Sequence, residues 1–224
     1  MPLTIILAES GLELIPKEII KDPAIQKSIK NRSYPLKLLD NALHHTSMGK
    51  LKNVTKRGRP DIAHACLLNA LGSPLSKSGN LKLYMHTVNN KIYEINPEIK
   101  IARNYNRFKG LMAKLLIEEE IKAEDLLLIS RIKKNLSELL KSIASEETIL
   151  FSSKGKLEKN HFELFNKNLT KNYVAIVGCF QKGYFSDEIL SLSNRIVSIS
   201  HYHLDAYVAL NKVIGYYEIS NEII

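Results

Sequence analysis

Apolar residues fall into two distinct periods along this chain. Leu3 to Ala8 is a continuous apolar run that stops at Glu9-Ser10-Gly11, the pattern of a strand buried on both faces and feeding a turn. It is expected to be a parallel, central strand. Residues 16–31 and 35–45 carry Ile, Leu and Ala at helical spacing, with Pro16, Pro23 and Pro35 punctuating their starts. A third helix is predicted over 61–71, stopping at Gly72-Ser73-Pro74. The period then becomes two. Leu81 to His86 and Lys91 to Ile95 alternate, with Val88-Asn89-Asn90 between them, which predicts a β-hairpin. Helical spacing returns from Arg107 to about Glu120, where Phe108, Leu111, Met112, Leu115 and Leu116 share one face.

Residues 121–145 read as a short strand or turn and a helix. Strands are expected near 148–152 and 173–177, separated by a helix around 161–168. A last short strand over 195–200 and a closing helix over 204–217 complete the pattern. Strands alternating with helices imply an α/β domain with a mainly parallel sheet. The chain shows no internal repeat and no low-complexity segment.

Composition narrows the function classes. With 224 residues, 45% of them apolar, the chain can bury a sizeable core and reads as one domain with an insertion. The net charge of +9 suggests a polyanionic partner. Ribosome-associated and membrane-surface proteins share that signature. The charge is concentrated: residues 1–114 hold 19 Lys+Arg against 8 Asp+Glu, and residues 115–224 hold 13 against 15. Cys66 and Cys179 lack the spacing of a zinc site or disulfide framework and are expected to be buried, reduced thiols. The start MPLTIILAES has no basic leader, and no run of about 18 apolar residues would cross a bilayer. A cytoplasmic protein without a membrane partner is the expectation.

Three stretches carry candidate chemistry. The first is Lys56-Arg57-Gly58-Arg59-Pro60-Asp61, where Gly58 permits a turn, Pro60 fits a first helical turn, and Asp61 would cap the helix or steady Arg59. The second, Lys100 to Phe108, spaces Lys100, Arg103 and Arg107 three and four apart with Tyr105 and Phe108 interleaved. Guanidinium forks grip phosphates and aromatic faces stack on unpaired bases, so this composition suits an RNA loop. Either cluster, taken alone, reads equally well as a solvated basic face. The third is the strand Tyr173 to Val177 ending in the glycine-bracketed loop Gly178 to Gly183. With Arg195 to Leu204, a second strand-to-helix junction, it would form a pocket at the carboxyl edge of a sheet. The chain has neither a dinucleotide fingerprint nor a P-loop. His44-His45 lacks further ligands at metal spacing, so no metal is expected. Ser200 with His201 and His203 has no accompanying oxyanion hole.

In order along the chain, Leu38-Leu39-Asp40 with His44, Arg59-Pro60-Asp61-Ile62 with His64, Ser73-Pro74-Leu75 with Gly79, Tyr84 to Thr87, Arg103 to Met112, Gly178 to Gly183 and Ser198 to Ser200 resemble one family. That family is the ribosome-biogenesis, pseudouridine-N1-specific rRNA methyltransferases of the SPOUT class, archaeal and eukaryotic, and the resemblance covers nearly the whole chain. It implies a single SPOUT-type domain over 1–224 with a C-terminal trefoil knot, a hairpin-containing insertion around 72–100, and a homodimer. It also implies S-adenosylmethionine held by Gly178, Gly183, Ile199, Ser200, His201, Tyr202, His203 and Leu204. Arg59, Lys100, Arg103 and Arg107 would bind small-subunit rRNA. Asp61 would orient Arg59 rather than act as a base. Ribosomal proteins of the pre-ribosome are further partners it suggests. The chain departs from the family pattern with Lys100 in place of arginine, Ala102 in place of proline, and at Cys179 and His203. The implied activity is methylation of N1 of a pseudouridine in a small-subunit rRNA loop. The alternative is a pre-rRNA-binding assembly factor for which methylation is dispensable.

Overall fold

A computed structural model describes residues 2–29, 37–165 and 171–223. The strands are β1 (Leu3–Ser10), β2 (Leu81–Thr87), β3 (Ile92–Ile95), β4 (Glu120–Ala123), β5 (Leu126–Ile132), β6 (Glu147–Leu157), β7 (Tyr173–Gly178) and β8 (Arg195–Ser198). They form one sheet in the order β4-β5-β3-β2-β1-β7-β6-β8. β1 pairs in parallel with β2 and β7, and β6 in parallel with β7 and β8. β3, β4 and β5 extend one edge antiparallel. The α/β class and the mainly parallel sheet therefore match the sequence pattern.

The helices are α1 (Pro23–Ile29), α2 (Asn41–Met48), α3 (Pro60–Gly72), α4 (Pro74–Lys77), α5 (Tyr105–Glu118), α6 (Leu136–Ile143), α7 (Asp187–Leu190) and α8 (Ala206–Ser220). They cover both faces of the sheet. Leu3, Ile5 and Leu7 point into the larger core with Leu67 of α3, Met112 of α5 and Val213 of α8. Ile6 and Ala8 point into a smaller core with Leu139 of α6 and Ile189 of α7. Burial on both faces is why β1 reads as an unbroken apolar run.

Several boundaries differ from expectation for local reasons. The first helix starts at Pro23, where the Asp22 carboxylate accepts the Ala24 N–H at 3.0 Å, so residues 16–22 stay outside it. The second starts at Asn41, because Asp40 caps it by accepting from Ala42 N–H. Residues 30–31 and 35–36 of these two expectations lie outside the described residues. The segment 121–145 contains the second strand of a β4–β5 hairpin in addition to α6, since Ile129 and Ile132 pair with β3. The helix expected around 161–168 appears as one 3₁₀ turn, His161–Glu163. Residues 166–168 lie outside the described residues. Within the segment around 72–100, β2 lies beside β1 and its residues are part of the main core. The antiparallel extension of the sheet begins within that segment, at β3.

Candidate functional site

β7 ends at Gly178 and the chain turns at once through residues 179–186 toward α7. β8 ends at Ser198 and leads through 199–205 into α8. Between these junctions and the middle of β6 lies a cavity of about 510 Å³. This is within the usual size range of small-molecule sites, at the carboxyl edge where parallel sheets hold ligands. Of the residues expected to hold a cofactor, Gly178, Gly183, Ile199, Ser200, Tyr202, His203 and Leu204 line it. His201 does not line it, and its side chain is exposed. The sequence reading missed Phe151, Ser152 and Ser153 of β6, the rings of Phe180 and Phe185, and Ala209 of α8. Phe180 and Phe185 meet edge to face at 5.4 Å. A Cβ at Gly178 would lie 2.9 Å from the Phe180 ring, and Gly183 sits at φ +120°, open to glycine and strained for other residues. The loop is thus fitted to glycines at both bracketing positions.

The basic edge is built from two loops and three helix ends. Arg59 precedes α3 with Pro60 in the first turn. Its guanidinium grips Asp61 with both forks, Nε donating to Oδ1 at 2.8 Å and Nη2 to Oδ2 at 2.6 Å. Partial burial works to raise the Asp61 carboxyl, but the hydrogen bonds and charge of Arg59 outweigh it and hold the group below its ordinary value. Asp61 therefore braces Arg59, and its side chain does not cap α3 from the Ncap position.

The second cluster docks against this turn. His64 of α3 donates from Nε2 to the Ala102 carbonyl at 2.7 Å, and its ring stacks on Phe108 at 4.3 Å. Asp40 accepts from Lys109 Nζ at 2.9 Å and from the Tyr105 hydroxyl at 3.3 Å. These buried links fix the start of α5 beside the Arg59 turn. Lys100, Arg103 and Arg107 stay exposed, and their side chains make no hydrogen bond or ion pair among the described residues. Arg107 stands in the first turn of α5, where the helix dipole repels a cation and attracts an anion.

Lys56 and Arg57, which the sequence offers as free basic charge, are already spent within the protein. Lys56 Nζ donates to Glu9 Oε2 at 2.7 Å, and Arg57 makes a two-pronged pair with the buried Glu13 at 2.7 and 2.6 Å. Cys66 and Cys179 are buried and free. The hydrogen bond they share, together with burial, holds the Cys66 thiol well above its ordinary value. Neither imidazole nitrogen of His44 is available to a metal: Nδ1 accepts from Asp40 N–H and Nε2 pairs with the Ser28 hydroxyl.

A family model described as EMG1/NEP1 methyltransferase matches residues 5–218. The chain belongs to this family. Among similar EMG1/NEP1 proteins, the "Ribosomal RNA small subunit methyltransferase Nep1" of Staphylothermus marinus is 42% identical over 217 residues, covering 95% of this chain and 94% of that one. The protein of the same name from Pyrococcus furiosus is 38% identical, with 96% of each chain covered. A crystal structure of Archaeoglobus fulgidus Nep1 bound to S-adenosylhomocysteine superposes with a TM-score of 0.88 at 34% identity, covering 99% of this chain and 100% of that one. Membership in the EMG1/NEP1 family makes this chain a methyltransferase, and the resemblance carried by the ordered motifs is correct.

Proposed function

We propose that this protein transfers a methyl group from S-adenosylmethionine to N1 of a pseudouridine in a small-subunit rRNA loop. The observation that carries this reading is the adjacency of the cavity to the basic edge: a Cβ at Gly183 would lie 3.6 Å from Lys56 Cε, three residues before Arg59. Gly178, Gly183 and the backbone of Ile199, Ser200 and residues 202–204 would hold the cofactor, with Ile199 and Leu204 against its apolar parts. When bound, that group supplies an electrophilic methyl on sulfonium. Arg59, Lys100, Arg103 and Arg107 would bind the rRNA phosphates and favour an N1-deprotonated base, while positioning supplies most of the rate. Asp61 orients Arg59; its lowered pKa makes it a poor base.

The finer architecture belongs to the same reading. Supporting a knotted carboxyl end, both Phe151 and Lys156 of β6 pair with Val197, so residues 152–155 curl around that strand. A Cβ at Gly155 would lie 2.5 Å from the Val197 backbone. The exposed rings of Tyr202 and Phe162 suit burial in a homodimer. Residues 1–224 are read as one domain, working on pre-ribosomes in the cytoplasm. Among the described residues no helix is long and apolar enough to cross a membrane. Calorimetry tests the pocket: Gly178→Val, which drives a side chain into Phe180, is expected to weaken S-adenosylhomocysteine binding at least about tenfold while RNA affinity stays near wild type. Unchanged cofactor affinity in that variant would move the site elsewhere.

A further inference from the structure

Glu9 is the least expected residue at the edge of the sheet. It lies inside β1 yet adopts φ +53°, a conformation that is costly for any residue but glycine and persists where surrounding contacts demand it. Its two carboxylate oxygens face different ways. Oε2 accepts from Lys56 Nζ at 2.7 Å, and Oε1 accepts from Ser186 N–H at 3.2 Å. Its own N–H donates to Nδ1 of His86 at 3.2 Å, which fixes the strand end behind it. The ion pair is sheltered, with Lys56 16% and Glu9 10% exposed at the side chain, so solvent screens it little.

Both ends of this pair touch functional elements. The Lys56 ammonium sits 4.8 Å from the centre of the Phe180 ring, which lines the cavity. The pocket loop is held at its ends by Cys179 N–H on the Ala8 carbonyl and by Ser186 on Glu9. Between them, residues 180–185 make no backbone hydrogen bond among the described residues. A loop tied only at its two ends, one of them through a side chain, is drawn from the low-stability part of a fold and answers to what fills it. On the other side, Lys56 belongs to the 3₁₀ turn that leads into Arg59, whose N–H donates to Gly11, two residues beyond Glu9.

We propose that the Glu9–Lys56 ion pair is a positioning link through which filling the cavity and binding RNA at the Arg59 turn strengthen each other. The inference rests on the pocket and RNA face assigned under the proposed function. Lys56 then acts through Phe180 and the turn, not as a phosphate contact. Such coupling is reciprocal, so each ligand must change the affinity of the other by the same factor.

Calorimetry with S-adenosylhomocysteine, with and without a saturating RNA stem-loop bearing one unpaired pseudouridine, tests it. RNA is expected to tighten S-adenosylhomocysteine binding about fivefold or more in the wild-type protein. In Lys56→Met, which keeps the aliphatic stem beside Gly183, and in Glu9→Gln, which keeps an acceptor for Ser186, the ratio should fall to about one. Lys56→Arg should restore it. A lysine serving only as a phosphate contact would weaken RNA binding equally with and without S-adenosylhomocysteine, leaving the ratio at its wild-type value. A merely structural role would lower the melting temperature of Lys56→Met and Glu9→Gln without abolishing the ratio. Either outcome, or a wild-type ratio of one, overturns the inference. Wild-type protein that fails to bind one of the two probes would overturn the underlying functional reading, and this inference with it.

Discussion

Arg59 and Asp61 set the chemical character of the basic edge. Two parallel hydrogen bonds hold the guanidinium at the mouth of the α3 turn, leaving its remaining donors for an anion. Because Asp61 is half exposed, losing its charge has a modest effect, and Asp61→Asn is expected to weaken RNA binding several-fold, with methyl transfer falling in parallel. Normal RNA affinity with only the transfer step lost would make Asp61 the base. Arg103→Ala and Arg107→Ala should each flatten the dependence of log affinity on log salt by about one, since each would remove one of the proposed phosphate contacts. Filter binding across a salt series reads this directly, and an unchanged slope would place the RNA elsewhere. The glycine-bracketed loop was legible because glycines after an apolar strand signal close approach. Lys56 and Arg57 misled because their partners, Glu9 and Glu13, stand 47 and 44 residues away in sequence, and no local pattern reveals such a pairing.

Helices α2, α3 and α5 hold that edge through buried polar groups rather than through apolar packing alone. Lys109 and Asp40 form an ion pair with side chains 7% and 5% exposed. Removing one partner leaves an uncompensated buried charge, so Lys109→Met is expected to cost about 3–5 kcal/mol in urea unfolding. His44 is fully buried and its Nδ1 must accept, so burial pushes its pKa below 6.5 despite the pull of Asp40, with Lys109 adding to the depression. Burial lowers His86 likewise. Both stay neutral in the fold but take up protons on unfolding. Their contribution is therefore complete above about pH 6.5 and is lost as pH falls through that value toward the folded pKa. Melting temperature should drop between pH 7.5 and 5.5, and less steeply in His44→Gln; an equal drop in both proteins would contradict the assignment. At this scale, long periodic segments such as α5 and β1 were legible. The β4–β5 hairpin was not, because its apolar run gains strand character by pairing with β3, a tertiary choice.

Across the whole molecule, a two-faced sheet brings three segments of distant sequence, near 59, 103 and 178–204, to one carboxyl edge. The excess of positive charge in residues 1–114 foreshadowed a polyanion, but it overstated the free charge, since Lys56, Arg57 and Lys109 are consumed by internal acids. Strand order was beyond reach of periodicity: the placement of β7 between β1 and β6 depends on crossovers that leave no local mark. We propose that this edge reads one base and methylates one nitrogen. The most direct test is incubation with radiolabelled S-adenosylmethionine and two RNA stem-loops that differ only in carrying pseudouridine or uridine at one loop position, followed by nucleoside analysis. Label at N1 of the pseudouridine, with none on the uridine RNA, is the expected result. Equal labelling of both RNAs, or none of either, would contradict it.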